Sequence, residues 1–201
     1  MASTSVLQAL QQELNTDTIQ RFSQQLGTDP AATSTAISAA IPVLLSGLAN
    51  NASSPAGAQQ LSTALDAHDG SILGNLGSLL GSGGGIGGIG GAILGHILGS
   101  RQGPVEQGVS KASGLDAQQV TQLLMMLAPI VMGVLGRMKK DHGVDAQQLP
   151  QVLGQAKAEV EQAAPATAGL GGIFDQNHGQ IADVVGRLGA SVLGGLFGQR
   201  A

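Results

Sequence analysis

A chain of 201 residues with 32 Gly, three Phe and no Trp, Tyr or Cys has to fill its core with Leu, Ile, Val, Met and Ala. That suits thin, closely spaced helices and supplies almost none of the aromatics that favour β-sheet. The absence of cysteine excludes a disulfide framework, a thiolate nucleophile and a zinc–thiolate site. A formal charge of −4, with no Lys or Arg between Arg21 and Arg101, disfavours a general nucleic-acid binder, because phosphate neutralisation calls for a basic surface.

The first residues, MASTSVLQALQQEL, lack the basic start and continuous apolar run of a secretory signal. They are expected to form an amphipathic helix in a protein of the reducing cytoplasm. Leu7, Leu10 and Leu14 have helical spacing, and Thr16 or Asp17 is the expected cap of a second helix carrying Ile19, Phe22 and Leu26 before Gly27. Asp29 and Pro30 mark the start of a third helix, which Pro42 should bend. Ser54 and Pro55 start a fourth, reaching about Ala67.

The layout then recurs. A shift of 87 positions places Ser23 on Ser110, Gly27 on Gly114, Asp29 on Asp116, Pro42 on Pro129 and Leu48 on Leu135. These are the punctuating residues: helix stop, helix start and internal proline. The expected fold is therefore all-α, with two related helical units in tandem, built from proline-bent helices and glycine-rich packing helices. The units span 1–80 and 104–201 and flank a partly helical Gly-rich segment at 81–103. An insertion near 150–172, rich in Ala, Gln and Glu, reads as solvated helix and loop.

The segment GSGGGIGGIGGAILGHILGS, residues 81–100, sets Gly83, Gly87, Gly91, Gly95 and Gly99 four apart. Gly85 to Gly90 formally spells GxGxxG, but the preceding SILGNLGSLLG is a poor strand and the dinucleotide context is missing. A membrane span is the stronger alternative, since residues 70–100 carry no charged side chain. Against it stand the near-neutral hydropathy of glycine, the interruption at His96 and the lack of an aromatic or basic belt. As an isolated helix the segment would be penalised by about 0.8–1 kcal/mol for each glycine. Yet Ile86, Ile89, Ile93 and Ile97 keep helical spacing beside the glycine row. Helix is expected at least over 91–98, with Gly83, Gly87, Gly91, Gly95 and Gly99 as close-approach positions and Ile93 and Ile97 anchoring the opposite stripe. Gly186, Ala190, Gly194 and Gly198 form a second such row. The two rows could meet each other or the rows of other subunits.

The remaining motifs have plainer explanations. The turns Asp66-Ala-His68-Asp69-Gly70 and Asp175-Gln-Asn177-His178-Gly179 resemble the opening of a calcium loop without its alternation or its closing Glu, so helix capping is preferred to metal binding. Arg137, Lys139 and Lys140 form the one basic cluster, a possible DNA contact that the helix dipole alone would explain. Met125, Met126, Met132 and Met138 read as adaptable packing. No nucleophile has an obvious base, so no catalytic site, metal or cofactor is expected.

The run ILGHILGSRQGPVEQGVSKASGLDAQQVTQLLMMLAPIVMGVLG, together with HDGSIL, resembles the bacterial domain of unknown function 937, related to the YidB-like proteins. The resemblance implies a helical, homeodomain-like arrangement and no established activity. The expected function is non-catalytic, through self-association or binding of a protein partner. A membrane-associated glycine-zipper protein and a weak DNA binder are the alternatives.

Overall fold

The computed structural model describes residues 5–68 and 85–163. Every regular element among them is helical: α1 (Val6–Glu13), α2 (Thr16–Leu26), α3 (Pro30–Asn51), α4 (Pro55–Ala67), α5 (Gly85–Leu98), a 3-10 turn (Gly99–Arg101), α6 (Gln102–Ser113), α7 (Ala117–His142) and α8 (Leu149–Ala163).

Local chemistry sets most of these boundaries. Ser5, Asp29 and Ser54 accept from the backbone N–H groups of Gln8, Ala31 and Gly57, which satisfies donors that the first turn of a helix cannot use. The cap of α2 is Asn15 rather than Thr16 or Asp17, since its Oδ1 accepts from Thr18 N at 3.0 Å and both expected residues already lie within the helix. Asp116 and Gln119 form a reciprocal capping box at the start of α7. Gly27 and Gly114 stop α2 and α6 at φ of 65° and 77°, a left-handed conformation that costs a side chain and suits glycine.

The two long helices form the centre. Pro42 lies within α3 and Pro129 within α7, and both helices continue past them. The removed N–H and the ring of an internal proline weaken a helix, and burial offsets this. From Ala36 to Leu48, all of α3 except Ser38 is buried, as is α7 from Met126 to Gly136. Both helices are long and apolar enough to cross a membrane, and here that apolarity faces protein on most sides.

Their covering is partly crosswise. Helices α1 and α4 pack chiefly on α7, and α6 and α8 chiefly on α3, whereas α2 packs more on α3 and α5 far more on α7, each also touching the other long helix. A single buried cluster runs through all of them, from Val6 to Val160. The segment expected to be solvated is a structural correction. Helix α8 buries Leu149, Leu153, Ala156 and Val160 and packs extensively on α3. Four apolar residues at spacings of four and three suffice for a narrow buried stripe, which the surrounding Gln and Glu obscure in composition.

Two substitutions follow from this packing. Leu153→Ala, at a fully buried position, is expected to destabilise by about 2–5 kcal/mol in urea unfolding. A loss below about 0.5 kcal/mol would return α8 to the solvated role. Among the described residues no partner reaches the buried Ser46 Oγ, and Ser46→Ala is expected to raise the urea midpoint by removing an unsatisfied hydroxyl.

Candidate functional site

Helix α5 carries the Gly-rich motif, and its buried face differs from the expected one. Gly90 is the close-approach position: a Cβ there would stand 1.9 Å from Met125 O on α7. Leu94, Ile97 and Leu98 complete the inward face. Of the expected row, Gly91 meets only the end of the Met125 side chain, at 3.8 Å from Cε, and Gly95 has nothing within 4 Å. Gly99 adopts φ of 52° and serves the junction with α6. Gly87 lies within α5, and Gly83 lies outside the described residues, as do Gly186, Ala190, Gly194 and Gly198. At 3.6 residues per turn, an i+4 row swings about 40° around the helix at each step. A row that borders the core at Gly91 has therefore turned to the open side by Gly95.

Ile97 is buried and Ile93 partly so, while Ile89 is 48% exposed. The outer face of α5 is thus Gly88, Ile89, Ala92, Gly95 and His96. No charged side chain occurs between Gly85 and Ser100.

This face borders a half-open groove of about 620 Å³ between α4 and α5, floored by Met132 of α7. Leu61 and Ala64 form one apolar wall, and Ala92, Ile93 and Ile97 form the other. Small residues on both sides, Gly57 and Gly95, bring backbone close to the space. Its polar groups are Asn51, Gln60, His68 and His96. Asn51 Nδ2 donates to His96 O at 2.8 Å, tying the end of α3 to α5. His68 Nδ1 lies 2.8 Å from Ala64 O. A carbonyl can only accept, so Nδ1 is the donor of this bond.

The groove was not legible in advance. Helix α4 is marked in the sequence only by its cap, and Gly90 only as the last glycine of GxGxxG. What could have singled out Gly90 is its position three and four residues from Ile93 and Leu94.

The other nominated residues are engaged elsewhere. Lys139 Nζ donates to Ser62 O at 3.0 Å and to the Asp66 carboxylate, with only 12% of its side chain exposed. Arg137 lies 3.5 Å from Glu13 and 3.9 Å from Asp141. Two of the three basic side chains thus already face carboxylates, which a phosphate would have to displace. Asp66 is held by Lys139, and Asp69, Gly70 and the whole turn from Asp175 to Gly179 lie outside the described residues. Among the described residues, no three His, Asp or Glu side chains gather as a metal would require.

The features so far define an all-helical protein with two apolar proline helices at its centre and a charge-poor groove on one side. The chain belongs to the family described as bacterial protein of unknown function, DUF937, whose model matches residues 8–138. The match runs from α1 through most of α7 and stops short of α8. No curated protein and no solved structure matches the chain.

Gly90 and Gly95 should respond oppositely to the same change. Gly90→Ala forces a Cβ into the Met125 backbone and is expected to cost about 1–3 kcal/mol. Gly95→Ala enters open space and is expected to gain up to about 1 kcal/mol from helix propensity. Equal urea midpoints for the two variants would contradict the assignment of faces. Lys139→Met removes the bonds to Ser62 O and Asp66 from a side chain only 12% exposed, with an expected loss of about 1–3 kcal/mol. Arg137→Met, at a side chain 57% exposed, should lose less than about 1 kcal/mol in the same measurement.

Proposed function

We propose that this protein is a non-catalytic helical assembly module that acts by self-association, using the outer face of α5 and the groove beside it. The observation that carries this reading is the bare face itself. Gly88, Ala92 and Gly95 stand outward, and among the described residues no side chain lies against either glycine. Ile89 projects beside them as the one large hydrophobic exposed among the described residues.

A second copy of the same chain is the partner that suits this face. Two-fold association sets identical patches against each other. A patch without charge meets its copy with no like-charge repulsion, and small residues let the two backbones approach closely. Ile89 of one copy can then enter the groove of the other, where Leu61, Ala64 and Ile93 offer apolar walls. Of the four polar side chains that line the groove, Asn51, Gln60, His68 and His96, none is a carboxylate, hydroxyl or amine. This favours a binding role over a nucleophilic one.

Gly95→Leu is the decisive variant, because the open space around Gly95 lets the new side chain in without disturbing the fold. Light scattering of the wild type is expected to give a mass above the 20.0 kDa monomer. Gly95→Leu and Ile89→Glu should return it to the monomer with unchanged helical circular dichroism. A monomeric wild type, or variants that keep its mass, would overturn the reading. Sedimentation with lipid vesicles and no assembly in buffer would instead select the membrane-associated alternative.

A further inference from the structure

We infer that residues 5–68 and 85–163 are two copies of one four-helix unit that grip each other across an approximate two-fold relation, the flanking helices of each unit reaching the central helix of the other. The sequence shift of 87 positions carries the end of α2 at Leu26 onto the end of α6 at Ser113. It also carries the start of α3 at Pro30 onto the start of α7 at Ala117. The left-handed glycines and the capping aspartates of the two units superpose in the same register, Gly27 on Gly114 and Asp29 on Asp116.

The contacts exchange under the same shift. With α1 matched to α5, α2 to α6, α3 to α7 and α4 to α8, the packing of α1, α2 and α4 on α7 becomes that of α5, α6 and α8 on α3. The packing of α2 on α3 likewise becomes that of α6 on α7. A plain tandem array would leave each long helix to its own neighbours. Here all three flanking helices of each unit also reach the other unit's long helix, and α3 takes most of its cover that way, from α6 and α8.

The polar ties cross as well. Asn51 donates to His96 O, Gln119 donates to Leu26 O, and Lys139 donates to Ser62 O. Gly136 of α7 passes so close to the end of α4 that a Cβ would stand 2.1 Å from His68 O. The relation is broken at α8, which starts at Leu149 although the shifted start of α4 falls at His142, and at α5, which starts at Gly85 although the shifted start of α1 falls at Ile93. That extra N-terminal stretch includes Gly90, which lies against Met125, and it accounts for the strong packing of α5 on its own unit's α7.

The surface between the units is therefore an assembly interface in its own right, and the partner that each unit fits is a copy of itself. This does not rest on the α5 groove. A protease recognition sequence inserted into the full chain between residues 69 and 84 tests it. After cleavage the two fragments are expected to elute together as one 1:1 species that keeps the helical signal and unfolds in a single transition. Its melting temperature should depend more steeply on concentration than that of the uncut chain, because association has replaced a covalent link. Fragments that elute apart, whether folded or unfolded, would overturn the inference. Gly136→Leu should separate the cut fragments, whereas Gly95→Leu should leave them together. Loss of the pair in Gly95→Leu would also count against it.

Discussion

Two apolar helices with internal prolines have to be covered on nearly every side, and the rest of the fold answers that requirement. Helices α3 and α7 bury most of their central residues, and their aliphatic content would be costly in water at about 25 cal/mol per Å² of apolar surface. The short helices on either side present narrow apolar stripes, and no single one can wrap such a rod. Crosswise packing supplies three covering helices to each long helix from the opposite half of the chain. The two halves therefore share one buried cluster.

A core with almost no aromatic residues places a second demand on this arrangement. Small and branched side chains fill space at native density only when helix axes come close, and glycine permits the closest approaches. Gly57, Gly90 and Gly136 each stand where a Cβ would collide with a carbonyl of a neighbouring segment. Gly27 and Gly114 have a different task, that of ending helices at positive φ. Gly88 and Gly95 have neither, for they are helical and face open space. Carrying the helix-propensity cost of glycine with no close approach among the described residues sets the outer face of α5 apart from the other glycine positions.

The basic cluster behaves differently from its appearance in the sequence. Lys139 and Arg137 look like a free patch at the end of α7, yet each is directed at carboxylates from other helices or the next turn. Lys139 in particular joins α7 to α4 through Asp66 and Ser62 O. Its charge secures a junction between the two halves, close to where Gly136 brings the backbones together.

Helix class, the capped starts at Asp29, Ser54 and Asp116 and the glycine stops were all legible in the sequence, because each depends on interactions within a few residues along the chain. The helical character of the Gly-rich segment was legible for the same reason, through its isoleucine spacing. The burial of α8, the selection of Gly90 over Gly91 and Gly95, the pairing of Lys139 with Asp66 and the groove between α4 and α5 were decided only by the tertiary structure. Each depends on which face of a helix turns toward a neighbour distant in sequence. Periodicity defines a stripe on a helix but leaves open what will lie against it.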